Sequence, residues 1–129
     1  MNRLAVLLRN HLHHEQYSDS SLIGSVSSRS EWSAEQFWLI AAALHQLDEQ
    51  SQADDDLFRN AVREAIFIYS HLTLSFSWHF DPGDHFEYQN LSTDEIYEWR
   101  ERTNVLFEGF IAGGMPDRIV FGERNPLMN

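Results

Sequence analysis

The strongest constraint on the fold is a helix-start pattern that occurs twice. Ser33 is followed three residues on by Gln36, and Ser92 by Glu95. In such a capping box each side chain satisfies a backbone N–H that the first helical turn leaves without a partner. Trp32 and Phe37 flank the first box and Leu91 and Ile96 the second, at the positions of the accompanying hydrophobic staple. Phe37, Ile40, Ala41, Leu44 and Leu47 then follow helical spacing, fading near Gln50. After Ser92 the stripe is Ile96, Trp99, Leu106, Phe107 and Phe110, and it stops at Gly113 and Gly114 with Pro116 just beyond.

Asp54 is placed to cap a third helix, with Asp55 and Asp56 in its electropositive first turn. Phe58, Val62, Ala65, Tyr69, Leu72 and Phe76 continue its face. A competing pattern overlaps its end. Leu72, Leu74, Phe76, Trp78 and Phe80 alternate with polar residues, and the turn Asp81-Pro82-Gly83-Asp84 leads to Phe86–Tyr88, which together describe a short β-hairpin over residues 72–90. The helical reading is preferred, because the 3-4 spacing runs unbroken from Phe58. Residues Arg3 to Glu15 form a fourth, amphipathic helix. The serine-rich stretch from Tyr17 to Ser30 reads as a loop with a short extended piece at Leu22 to Val26 around Gly24. The expected fold class is mainly α: a compact single-domain bundle of about four helices spanning residues 1–129.

Composition supports one core and no more. A chain of 129 residues with 43% hydrophobic residues, including nine Phe and four Trp, has material for a single domain. The absence of cysteine removes disulfides, thiolate metal sites and nucleophilic thiols, and fits a reducing compartment. The short apolar run from Leu4 to Leu8 does not read as a signal peptide, and no apolar stretch is long enough to span a bilayer. A cytoplasmic location is expected.

Charge narrows the partners. Twenty Asp and Glu against nine Arg, with no lysine, give a formal charge of −11. Such a surface repels phosphate backbones, which argues against direct nucleic-acid binding, and it steers a basic partner into contact. The plainer explanation, acidity for solubility alone, weighs equally on composition. The carboxylates gather in two stretches. Asp48, Glu49, Asp54, Asp55 and Asp56 bracket one helix connection; Asp81, Asp84, Glu87, Asp94, Glu95 and Glu98 populate another, punctuated by Tyr88, Tyr97 and Trp99. Charges that steer, beside aromatics that anchor, are suitable interface material. The candidate partner-binding residues are therefore Asp48, Glu49, Asp54, Asp55, Asp56, Asp81, Asp84, Glu87, Tyr88, Asp94 and Glu98. Arg100-Glu101-Arg102 lies in the same region. The favoured reading is internal pairing, with Arg100 or Arg102 reaching a carboxylate such as Glu98, four positions from Arg102, over an ion-pair device facing the partner.

Chemistry finds less support. His11, His13, His14 and Glu15 form one histidine cluster, and His79, Asp81, Asp84 and His85 a second. Neither has the spacing that sets two imidazoles and a catalytic carboxylate on one helix face, so ordinary hydrogen-bonding histidines are the favoured reading over metal ligands. No nucleophile elbow, phosphate-cradling loop or dinucleotide fingerprint is present. The expectation is a binding module without catalytic residues, cofactor or metal. The alternatives are a metal-dependent enzyme using the histidine clusters and a structural or regulatory adaptor.

Several groups of residues carry a resemblance. They are Arg9-Asn10 with Tyr17 and Ile23-Gly24; Trp32 with Glu35, Phe37 and Trp38; Ser70-His71; and His79-Phe80-Asp81-Pro82 with Asp84, Phe86, Asn90 and Leu91. Arg100-Glu101-Arg102 follows, then Phe107-Glu108-Gly109-Phe110, Met115-Pro116, Phe121 and Asn125-Pro126-Leu127. On these the chain is similar, nearly end to end, to the bacterial polymorphic-toxin immunity proteins of the family numbered forty-one. It departs from them mainly in the Tyr17–Ser30 linker and around Ala53. The resemblance implies that the chain binds and neutralises a cognate toxin C-terminal domain, delivered by contact-dependent growth inhibition or a related route. It brings no catalytic residues with it. The expected partner is a basic toxin, such as a transfer-RNA-cleaving nuclease, held in a one-to-one complex that occludes its active site or substrate-binding surface.

Overall fold

The computed structural model describes residues 3–115, 119–120 and 123–127. Among them are five α-helices: α1 (Arg3–Leu8), α2 (Leu22–Arg29), α3 (Ala34–Gln50), α4 (Asp55–Phe80) and α5 (Thr93–Ile111). A 3-10 turn, Ser51–Ala53, joins α3 to α4. Two-residue strands β1 (Ile119–Val120) and β2 (Glu123–Arg124) pair antiparallel, Ile119 opposite Arg124. No helix among the described residues is long and apolar enough to cross a membrane.

Three helix starts follow the capping residues. Ser33 Oγ accepts from Gln36 N at the head of α3, and Asp54 Oδ1 accepts from Leu57 N at 3.0 Å at the head of α4. The α5 box is complete: Ser92 Oγ accepts from Glu95 N, and Glu95 Oε1 accepts from Ser92 N at 2.9 Å.

α4 runs unbroken to Phe80, so the hairpin over residues 72–90 does not form. The apolar alternation there comes from two opposite sides of one helix. Leu72 and Phe76 are buried and Leu74 on the opposite side faces solvent, while Phe80, on the buried side, is exposed as the last residue of the helix. The segment after the turn packs as a loop: Tyr88 N donates to His79 Nδ1 at 3.0 Å, and Gln89 N donates to Ser30 O at 2.8 Å.

Two further differences lie at the N-terminal end. α1 stops at Leu8, short of Glu15, because Asn10 turns its amide back onto the helix. Its Nδ2 donates to Val6 O at 3.0 Å while its Oδ1 accepts from Ile23 N at 3.0 Å. The stretch from Leu22 to Val26 is helical, not extended. Ser21 Oγ caps it by accepting from Gly24 N at 3.0 Å, and Ser30 ends it in the left-handed region at φ 55°. Gly24 lets this helix sit on the preceding turn, since a Cβ there would lie 2.5 Å from the carbonyl oxygens of Ser18 and Asp19.

α4 is the spine. Each of α1, α2, α3 and α5 packs against it, burying Ala61, Ala65, Ile68, Leu72 and Phe76. At its C-terminal end the core is aromatic. Trp32 packs on Phe37, Phe76, Tyr88 and Trp99 with ring centroids 5.3–6.2 Å apart, distances at which edge and offset contacts are favourable.

Candidate functional site

The carboxylates sit mostly at the two ends of α4, which at 26 residues is about 39 Å long. The first pole surrounds the 3-10 turn. Glu49, Asp54, Asp55 and Asp56 are exposed there and Asp48 is partly so. Two of the five have structural duties: Asp54 caps α4, and Asp56 lies 3.8 Å from Arg59.

The second pole is built from the α4–α5 connection and the first turns of α5. Asp81, Asp84, Glu87, Asp94, Glu95 and Glu98 are all exposed. Local hydrogen bonds orient several of them. Asp81 Oδ1 accepts from Gly83 N and Asp84 Oδ1 from Phe86 N, each at 2.8 Å. The Ser92 backbone N–H, and then its hydroxyl, hold the Glu95 carboxyl below its ordinary range. Pinning the loop carboxylates fixes where the negative charge points, and the capping box does the same at the start of α5.

The aromatics of this pole divide between core and surface. Tyr88, a candidate partner-binding residue on sequence, is only 3% exposed. Its hydroxyl lies 2.6 Å from Ser75 Oγ inside the core, and burial pushes the phenol far above the ordinary tyrosine range. It cannot contact a partner without unfolding the pole. Trp99 is half-buried beneath the Arg102 guanidinium, 4.7 Å from its ring, and Arg102 also reaches Glu98 at 3.8 Å. The internal pairing expected for Arg102 is therefore present.

The surface aromatics are Phe80 and Tyr97, 38% and 44% exposed. Their rings stack at 5.0 Å with an interplanar angle of 20°, and Arg100 sits 5.0 Å from the Tyr97 ring centroid. This pair joins the last residue of α4 to the first turns of α5, with Asp81 next to Phe80 and Glu98 next to Tyr97 in the chain. Sequence reasoning did not place Phe80 on a surface. Its spacing continues the buried stripe of Leu72 and Phe76, and the only signal of its exposure is its position as the last residue of the helix.

Four of the histidines have local structural contacts. His11 Nδ1 lies 2.7 Å from Glu64 Oε2, an ion pair when the imidazole is protonated, and its ring packs on Phe67 at 4.4 Å. His14 Nδ1 accepts from Gln16 N and His79 Nδ1 from Tyr88 N, both at 3.0 Å. His71 lies 3.3 Å from Ser27 Oγ, and burial pulls its imidazole below the ordinary value. Among the described residues no group of three or more His, Asp or Glu is placed to hold a metal ion.

The residues that carried the family resemblance also have structural places. Asn10 bonds Ile23 N, beside Gly24; Asn90 bonds the main chain of Trp32; and buried Asn125 donates to Trp38 O at 3.0 Å while accepting from Leu127 N at 2.9 Å. Each ties two distant segments by their backbones. These three side chains hold the scaffold together. No protein-family model, curated protein or solved structure matches the chain.

Proposed function

We propose that the chain is an immunity protein: a cytoplasmic binding module, not an enzyme, that neutralises a basic toxin domain by covering its active site or its nucleic-acid-binding groove. The observation that carries this reading is the exposed Phe80–Tyr97 stack at a pole rich in carboxylates. Aromatic rings supply the contact area that holds a complex together, and surrounding charge sets the encounter rate and rejects wrong partners. A nuclease that cleaves transfer RNA has a positive groove for phosphate, and an acidic pole occupies it by matching its charge. Asp81, Asp84, Glu87, Asp94 and Glu98 are the steering residues of this pole, with Phe80 and Tyr97 the anchors. The resemblance to polymorphic-toxin immunity proteins points in the same direction.

The test is co-expression with the toxin C-terminal domain encoded beside this chain, scoring growth and co-purification. Rescue with a one-to-one complex supports immunity. Growth arrest despite abundant folded chain overturns it. In the purified complex, association should slow steeply between about 0.05 and about 0.5 M salt, as the screening length shrinks severalfold. Rates indifferent to salt would discard charge matching as the docking principle while leaving immunity itself standing.

A further inference from the structure

The exposed Tyr97 ring already carries a cation of its own chain. The Arg100 guanidinium lies over it, 5.0 Å from the ring centroid, while Phe80 stacks on it at 5.0 Å and 20°. From Asp81 to Glu101 this is the only arginine, and seven carboxylates stand against it. Arg100 is exposed, yet among the described residues it forms an ion pair with none of them. It takes the ring instead. Asp94 lies three residues before Tyr97 and Glu101 four after it, spacings that return to one side of α5. Both are exposed, and neither is in an ion pair among the described residues. Helix neighbours at such spacings have Cβ atoms about 5–6 Å apart, so one flat ring sits between two open carboxylates.

We propose that the Tyr97 ring receives an arginine side chain of the partner protein, and that Arg100 holds the place in the free chain. The inference rests on this pole being the docking surface of a basic protein, as proposed above, and names what that protein must offer. A guanidinium is planar and always charged, so it lies flat on an aromatic ring and still directs N–H donors outward from its edge. On Tyr97 those donors meet Asp94 on one side and Glu101 on the other. Hydrogen bonds between charged groups are roughly twice as strong as neutral ones. Lysine brings a compact, strongly hydrated ammonium, which does not lie flat on the ring while reaching both carboxylates. The Phe80 stack fixes the plane of the ring that the arginine meets. Binding requires the chain to give up its own contact, so affinity is reduced by the fraction of time that Arg100 covers the ring. Arg100 is thus a plug that yields to a better-placed guanidinium.

Tetra-arginine and tetra-lysine, peptides of equal charge, are the probes, and proton resonance of the full chain is the first readout. In the free chain the Arg100 δ protons should be shifted upfield by the Tyr97 ring. Tetra-arginine should return them to their ordinary position as it binds, and tetra-lysine should bind about threefold more weakly. Tyr97→Leu, at an exposed position, should cost tetra-arginine about threefold in affinity with helicity unchanged. Arg100→Ala should raise that affinity about threefold when Tyr97 is present, and by less in Tyr97→Leu, where only the loss of a positive charge remains to act. Arg100 protons that stay upfield at saturating tetra-arginine overturn the proposal. So do equal affinities for the two peptides, or an Arg100→Ala gain of the same size in both backgrounds. Co-expression separates the two readings. If the peptides behave as expected but growth is not rescued, the arginine site stands and the toxin is not its partner. If Tyr97→Leu rescues growth and binds the toxin as tightly as the unmodified chain does, immunity stands and the arginine site is discarded.

Discussion

The Asn90 amide grips the main chain of Trp32 twice, accepting from its N–H at 2.9 Å and donating to its carbonyl at 2.8 Å. Fifty-eight residues separate the two in sequence. The clamp fixes the entry to α3 against the loop that leads into α5, and with it the orientation of the tryptophan at the centre of the aromatic core. Asn90→Ala removes both bonds and should cost about 1–3 kcal/mol. Urea unfolding followed by tryptophan fluorescence measures this, with the midpoint falling and the slope unchanged. Asn90→Asp keeps the acceptor but turns a carboxylate oxygen on the Trp32 carbonyl, so it should destabilise as well.

Gly24 and Gly114 should respond to alanine very unequally. A Cβ at Gly24 meets two backbone carbonyl oxygens at 2.5 Å, whereas nothing lies within 4 Å of one at Gly114. Backbone cannot swing aside as a side chain does. Gly24→Ala should destabilise by about 1–3 kcal/mol, in the manner of overpacking, and Gly114→Ala by less than about 0.5 kcal/mol. Thermal unfolding of the two variants side by side checks the contrast.

Tyr88 makes the fold sensitive to alkali. Burial raises its phenol above the ordinary value of 10.0, so above that pH the unfolded chain releases a proton that the folded chain keeps. Its contribution is complete below pH 10 and declines as pH rises toward the folded value. Tyr69 and Tyr17, also raised chiefly by burial, add to the same limb. Tyr88→Phe should flatten the decline between about pH 10 and pH 12. At neutral pH it should cost about 1 kcal/mol, the hydroxyl bond to Ser75, which keeps its own bond to Leu72 O.

Glu95 acts at the acid end. Its carboxyl is held below 4.5 by the Ser92 backbone N–H and then by the Ser92 hydroxyl. The stabilisation is present above the unfolded value and disappears as pH falls through the folded one. Glu95→Gln keeps a side-chain oxygen for Ser92 N but removes the titration, so the acid limb of stability should become shallower. Unfolding midpoints between about pH 2 and pH 6 show whether it does.

Helix starts were legible where one capping residue stands immediately before an apolar stripe, as at Ser33, Asp54 and Ser92. α2 was not, because Ser21 caps it from within a serine-rich run in which many residues are equally suited to capping. The early end of α1 was hidden for a different reason: Asn10 ends it with the help of Ile23, a partner supplied by the tertiary fold. The apolar alternation after Leu72 suggested a strand because helical inside and outside positions happened to interleave. At the candidate site, local sequence located the carboxylates but not the fate of the aromatics. Tyr88 turns inward to a serine on α4, and Phe80 finds Tyr97 only because α5 returns alongside it.

Because α1, α2, α3 and α5 all lean on α4, loss of that helix takes a packing partner from every other described helix of the molecule. Its unfolding should be a single cooperative event. The amides of the middle of α4, around Ile68 and Leu72, should exchange with deuterium only as fast as the whole chain opens, and those of the short α1 sooner.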